Sequence, residues 1–287
     1  MIPPDPEVRE DQRDETRAFW NQTYARQLAT QGAAPAVDMD EAHESVLERQ
    51  FRSLVGELEG RDVLEIGCGL GDDTLRYARR GARVTSIDIS EVAVEGVRQK
   101  LDSAGLPADV RVMDAFAVAE LALRFDLIVG RYILHHLEPF AALAEIFSRC
   151  LKPTGRIVFV ENNARNPLLM FARNRIAGKF GVPKYGDNVE HPFTPQEVAM
   201  LRQHFADVEC HFPQLVFVRK LNTYVFRHKP VFRPLTWALD HLDDSLWYLL
   251  PALRPWSYDL KRCTPTGDMD KFGDGNCSTW RIIECAA

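Results

Sequence analysis

Between Val63 and Asp73 the chain reads VLEIGCGLGDD. An apolar run ends in an acid, and three glycines, Gly67, Gly69 and Gly71, then fall on alternate positions. A strand that stops in glycines lets backbone approach a ligand closely, because no side chain intervenes and positive φ is allowed. The segment that follows, DDTLRYARR, reads as a helix stopped by Gly81, and its N-terminus offers free amide groups. A strand, a glycine loop and a helix in that order are the start of an α/β unit.

The rest of the first half repeats the rhythm. ARVTSID, DVRVMD, FDLIVG and RIVFVE read as strands. SEVAVEGVRQKLDSAG is a helix with Ser90 as N-cap and Gly105 at its end, and PFAALAEIFSRCL is another, closed by Pro153 and Gly155. Short connections between alternating elements predict an α/β fold with a doubly wound, mostly parallel sheet, whose ligands sit beyond the carboxyl ends of the strands. Upstream, DETRAFWNQTYARQLAT reads as an amphipathic helix with Phe19, Trp20 and Tyr24 near one face, after about eleven frayed residues. Residues 40–58 read as a second helix with Val46, Phe51, Leu54 and Val55 inward. Beyond Glu161 the pattern loosens. Residues 162–192 read as irregular, TPQEVAMLRQHF as a helix with a capping box at Thr194 and Glu197, and DVECHF (207–212) as a strand. Residues 213–278 are too long for a plain loop and read as an inserted lid or substrate subdomain.

At 287 residues and 46% hydrophobic content, the chain can bury a large core without staples. Its formal charge of −6 speaks against a nucleic-acid partner. The six cysteines form no CxxC pair and fit a reduced, cytoplasmic chain, although Cys263 and Cys277 are free to pair in sequence terms. The acidic N-terminus has no apolar signal region, and no apolar run reaches the 18 residues of a membrane span.

The loop discriminates between ligands. A dinucleotide's diphosphate wants GxGxxG, yet here the position of the third glycine holds Asp72, with Asp73 next to it. Two carboxylates in a first helical turn repel a diphosphate and are harmless to a ligand without phosphate. A nucleoside carrying an amino acid fits better. Glu65 at the strand end can attract an ammonium group, Asp88 at the next strand end can accept from both ribose hydroxyls, and Asp114 with Ala115 at the third can meet an adenine amino group. Each acid alone is also a common turn residue, but three in register at successive strand ends agree with one another.

On these residues the chain resembles the class I S-adenosylmethionine-dependent methyltransferases. VLEIGCGLGDD, SIDIS, MDA, FDLIVGRYILHHL and LKPTGRIVFVE look like that family's successive motifs, over about residues 60–161. The resemblance implies a seven-stranded Rossmann-like sheet and S-adenosyl-L-methionine as cofactor, with S-adenosylhomocysteine as product. It places Gly67, Cys68, Gly69 and Gly71 along the methionine and ribose, Glu65 near the amino-acid end, Asp88 on the ribose, Ile89 against the adenine, and Asp114 and Ala115 beside the base. Arg131 follows the fourth strand, where the family often has a small or polar residue. The resemblance also implies a last, antiparallel strand, which STWRIIECA (279–287) could supply. The organisation expected is a helical cap at 1–58, a cofactor-binding core at 59–161, a substrate region at 162–278 and the final strand at 279–287.

Methyl transfer from a sulfonium needs a nucleophile placed in line and a group to take its proton. Candidates past the fourth and fifth strands are Arg131, Tyr132, His135, His136 and Glu161. Either histidine can serve as base or pack. Glu161 can bind a cation, take a proton or cap a turn. Tyr24 can fold over the cofactor or pack on its helix face. From Arg165 to Arg233 there are eleven Lys or Arg against five Asp or Glu, which suits an anionic substrate, a solvated face or a subunit contact. PLTWALDHLDDSLWYLLPALRPW has a broad apolar stripe for a substrate wall, a partner chain or the core. The acids of GDMDKFGDGN have the wrong spacing for a calcium loop, so no metal is expected. The reading is an S-adenosylmethionine-dependent methyltransferase of a small apolar or aromatic metabolite, oxygen being favoured over nitrogen or carbon. The alternatives are a C- or N-methyltransferase, or a non-catalytic cofactor-binding module. Self-association through the N-terminal helix or the insert is the partner expectation.

Overall fold

The structure is a computed structural model that describes residues 6–31, 45–162, 164–175, 179, 192–213, 215, 233–256 and 259–265. Its helices are α1 (Pro6–Gln31), α2 (Val46–Val55), α3 (Asp72–Arg79), α4 (Glu91–Ala104), α5 (Phe140–Cys150), α6 (Pro167–Arg175), α7 (Pro195–His204) and α8 (Arg233–Leu249). Its strands are β1 (Asp62–Ile66), β2 (Arg83–Asp88), β3 (Asp109–Val112), β4 (Phe125–Arg131), β5 (Leu151–Glu161), β6 (Phe205–His211) and β7 (Asp259–Pro265). They form one sheet in the order β3-β2-β1-β4-β5-β7-β6. Strands β1 to β5 run parallel, and β7 lies antiparallel between β5 and β6.

The local signals behave as their chemistry requires. The Ser90 side chain accepts the Ala93 amide, Gly105 closes α4 in the left-handed region, and Thr194 and Glu197 cap each other at α7. Val63, Leu64, Ile66, Leu127, Ile128 and Val129 on the central strands are buried on both faces, as a parallel sheet between helix layers demands. One core cluster joins Phe51, Val55, Leu75, Val97 and Val158, and the other joins Phe125, Phe147, Phe159, Leu143 and Phe193.

Four expectations shift. Helix α1 begins at Pro6 rather than after a frayed stretch, and α6 occupies part of the segment read as irregular. In α2 Leu47 is inward and Val46 is exposed, because the buried face runs through Leu47, Phe51 and Val55 at helical spacing. The antiparallel strand is Asp259–Pro265, so the insert ends earlier than residue 278; residues 279–287 lie outside the described residues. DLKRCTP does not look like a core strand, because Lys261 and Arg262 interrupt it. Lys261 is nevertheless fully buried, its ammonium 4.0 Å from the centre of the Phe193 ring, and that cation–π contact suits the strand to its place. The acids at Asp268, Asp270 and Asp274, the partner Cys277 and the basic residues Arg219, Lys220, Arg227, His228 and Lys229 also lie outside the described residues.

Candidate active site

The strand order reverses between β1 and β4, and a cleft opens at their carboxyl ends. It measures about 1150 Å³ with its mouth included, and its lining runs from Asp88, Ile89, Met113 and Asp114 to Tyr132 and His136. A smaller recess of about 470 Å³ lies behind the glycine loop, bounded by Glu65, Cys68, Asp73, Tyr77 and Arg131.

The glycine loop is held from both sides. The amides of Gly67 and Cys68 donate to the Ile87 carbonyl at 2.8 and 3.1 Å. Gly71 starts α3 with φ +83, and a Cβ there would lie 2.6 Å from Val97 Cγ2. Gly69 has φ +50, and its missing Cβ would lie 3.3 Å from the Tyr24 hydroxyl. Bare backbone is therefore required both by the turn and by the helix pressed against it. Lys100 of α4 donates to the Leu70 carbonyl at 2.7 Å and ties the loop to the helix layer.

The acids at the strand ends do different things. Asp88 lines the cleft while accepting the Gly69 amide at 3.0 Å and the Ser90 amide at 2.9 Å. Burial raises its pKa, and these amides oppose that rise. Asp114 also lines the cleft, accepts the Phe116 amide at 2.8 Å and meets Arg13 of α1 at 2.8 Å. Glu65 is withdrawn: it accepts from Thr74 and Ser86, each at 2.5 Å, and so pins α3 to β1 and β2. Burial first and the neighbouring Asp73 second push its pKa up to about 8.

Helix α1 roofs the cleft. Its Asn21 side chain accepts from the Ser90 hydroxyl at 2.6 Å and donates to Glu91 at 2.6 Å. Trp20 stacks on Tyr24 at 5.4 Å between ring centres and meets the edge of His136 at 5.5 Å. Burial, then the Asp88 charge, raises the Tyr24 pKa far above that of a free phenol. This favours the protonated phenol.

On the β4–β5 side, Glu161 is fully buried. It accepts the Ile133 and Leu134 amides at 3.1 and 2.8 Å, and His135 Nδ1 lies 2.6 Å from its other oxygen. Neither His135 nor Glu161 reaches the cleft, whereas His136 does. Arg131 turns from the cleft centre to Glu48, at 2.7 and 2.8 Å, and Asp73, at 2.5 Å, with its guanidinium 3.9 Å above the Phe51 ring.

Residues 63–155 match the family model described as Methyltransferase domain. That segment is similar to methyltransferase domains. In a further comparison, 111 residues are 36% identical to the ubiquinone biosynthesis O-methyltransferase of Stutzerimonas stutzeri, covering 38% of this chain and 47% of that protein. A stretch of 154 residues is 29% identical to the protein of the same name from Bordetella avium, covering 52% and 63%. The chain thus spans about half the length of the curated relatives it matches. Among solved structures, the [4+2]-cyclase SpnF aligns with a TM-score of 0.57 at 17% identity, over 89% of this chain and 97% of that one. The N-methyltransferase NodS of Bradyrhizobium japonicum aligns at 0.51 and 16%, over 86% and 98%. These likenesses show the fold.

Among the residues singled out from the sequence, Gly67, Asp88, Ile89, Asp114 and Ala115 line the cleft, with Tyr24 and His136 across from them, and Gly71 lines the recess behind the loop. Sequence reading passed over Arg13, Asn21, Glu48, Met113 and Phe116. The α1 and α2 residues carried no motif, since their partners lie 69 or more positions away. Met113 stood next to the acid of MDA and looked like strand interior.

Proposed function

We propose that the protein is an S-adenosylmethionine-dependent O-methyltransferase of a small apolar or aromatic metabolite in a biosynthetic pathway. The observation that carries the reading is the pairing of a bare glycine loop with two carboxylates, Asp88 and Asp114, that line one cleft. The residues fit the cofactor. Asp88 would accept from the ribose hydroxyls, Asp114 and Ala115 would face the base beside Ile89 and Phe116, and the loop from Gly67 to Gly71 would lie along the amino-acid portion. In the recess behind the loop the Asp73 carboxylate would face an ammonium group, with the buried Glu65 carboxyl behind it. The α2 contact of Arg131 makes it a fastener of that recess, through Glu48 and Asp73. Bound S-adenosylmethionine supplies an electrophilic methyl group on a sulfonium.

The chain's own contribution is to place the acceptor and to move its proton. His136 is the cleft-lining imidazole on the β4 side and would accept the proton of an acceptor hydroxyl. His135 and Glu161 are positioning residues: Glu161 gathers the turn that presents His136 and holds the neighbouring ring. Tyr24 and Trp20 close the roof and exclude water. Oxygen as the acceptor atom is supported by the printed name of the ubiquinone biosynthesis relatives. Because the cyclase SpnF shares the fold, the fold alone does not choose the reaction. Among the described residues no helix is long and apolar enough to cross a membrane. A cytoplasmic protein, self-associating through α1 or the 213–278 region, completes the proposal. The test is calorimetry with S-adenosylhomocysteine together with methyl transfer from S-adenosylmethionine to small phenols. Tight binding with transfer is expected. Binding without transfer to any acceptor would favour a cofactor-binding module, and absence of binding would end the proposal.

A further inference from the structure

Among the described residues only two non-glycine residues have positive φ, Ala122 and Tyr132. Ala122 ends the short 3-10 helix Ala115–Leu121, where a left-handed residue is routine. Tyr132 ends no helix, and at φ +53 its Cβ crowds the backbone. The bend is imposed by neighbours: the Tyr132 amide donates to the Val160 carbonyl at 2.7 Å, and the next two amides turn to Glu161. Glycine would satisfy that backbone without strain. The sequence places an aromatic ring there instead, at the mouth of the cleft and 36% exposed. Strain kept at a ligand cleft points to a use for the side chain.

The position says which ligand. Asp88 and Asp114 leave β2 and β3, on the far side of β1 from β4. Tyr132 leaves β4 and lines the cleft beside Ile133 and His136, with Trp20 descending from α1. Resting on the function proposed above, we propose that Tyr132 is the specificity-determining residue of the acceptor compartment. Its ring packs on the apolar body of the acceptor while the acceptor hydroxyl faces His136.

The experiment uses the full chain and its Tyr132→Ala, Tyr132→Gly and Tyr132→Phe variants, with 4-methylcatechol as acceptor probe. Alanine and glycine lose the same ring; glycine tolerates the left-handed backbone, a gain only partly offset by its freer unfolded chain. Tyr132→Gly should therefore melt about 2–4 °C above Tyr132→Ala. Both should raise KM for 4-methylcatechol about tenfold or more, Tyr132→Phe should keep it, and S-adenosylhomocysteine affinity should stay within about twofold in all three. Equal melting temperatures for the glycine and alanine variants, an unchanged KM, or cofactor affinity that falls in step with KM would each overturn the assignment. A wild-type protein that binds S-adenosylhomocysteine yet neither binds nor methylates 4-methylcatechol overturns it too, and leaves the cofactor reading standing. Loss of cofactor binding in the wild type sinks both.

Discussion

The acids that end β1 and β5 serve differently from those that end β2 and follow β3. Asp88 and Asp114 keep a face on the cleft, while Glu65 and Glu161 are drawn back into the protein and satisfied there. The two glutamates sit on inner strands, where a longer side chain reaches the next turn or helix and finds donors: Thr74 and Ser86 for one, two amides and His135 for the other. The two aspartates are shorter and take amides of their own turns and of the glycine loop, with Arg13 of α1 also reaching Asp114, and both keep a face on the cleft. An acid at a strand tip is thus a ligand group or a fastener according to the donors within its reach. The two sides of the cleft divide their work on that basis.

The largest effect should come from the fastener on β5. Glu161→Ala leaves two buried amides and His135 Nδ1 without their carboxylate, which should cost about 3–5 kcal/mol and lower the melting temperature by roughly 10 °C. Glu161→Gln keeps an acceptor for the amides and should lose less than half of that. Thermal denaturation of both variants checks the order. If Glu161→Ala melts like the wild type but loses turnover, Glu161 belongs with the reacting groups and the contrast with Asp88 is broken.

Asp88→Ala probes the other kind of acid. It should weaken S-adenosylhomocysteine binding by about 10–100-fold, the range set by losing charge-assisted hydrogen bonds worth about 1.5–3 kcal/mol. It should cost less stability than Glu161→Ala, because Asp88 lines the cleft and is 7% exposed whereas Glu161 is fully buried. Calorimetry that gives wild-type affinity would remove the ribose assignment.

Glu65 sharpens the comparison through pH. Its carboxyl is held neutral by burial, with the folded pKa near 8 against an ordinary 4.5. The folded state therefore binds the extra proton between those values. The stability that this proton supplies is complete below about pH 4.5 and is lost as pH rises through 8. Denaturant unfolding from pH 5 to 8 should show stability declining by no more than about 1.4 kcal/mol per pH unit from this group. Glu65→Gln, which keeps the shape and an acceptor oxygen, should flatten that decline. An equal slope in the variant would mean that Glu65 is ionised in the fold and available to an ammonium group directly.

What the sequence disclosed follows the same division. The glycine loop, the caps at Ser90 and Thr194, and the five parallel strands are set by neighbours a few residues apart, so periodicity and turn chemistry reveal them. Asp88 and Asp114 were readable because each acts from its own strand end. That Glu161 could cap a turn was legible, but its partners Ile133, Leu134 and His135 were not, since they lie 26 to 28 positions away. Arg131 likewise meets Glu48 across 83 positions. Strand β7 was hidden for a related reason: Lys261 reads as a surface residue until the Phe193 ring lies beneath it.

The smallest expected effect lies in the roof, where neither kind of acid acts alone. Asn21 joins α1 to the start of α4 by accepting from Ser90 and donating to Glu91, and Ser90 is itself the cap whose amide Asp88 holds. Asn21→Ala removes one exposed and one part-buried side-chain bond, so the global cost should be about 0.5–1 kcal/mol. The cleft should feel it more than the melting temperature does, because Tyr24 sits on Gly69 only while α1 is docked. Stopped-flow release of S-adenosylhomocysteine should become several-fold faster in Asn21→Ala, with the association rate nearly unchanged. If release is unaltered while stability falls by the full amount, α1 is a packed wall, and the cofactor enters and leaves by the β4 side. Tyr132 and His136 would then stand at the door of both ligands.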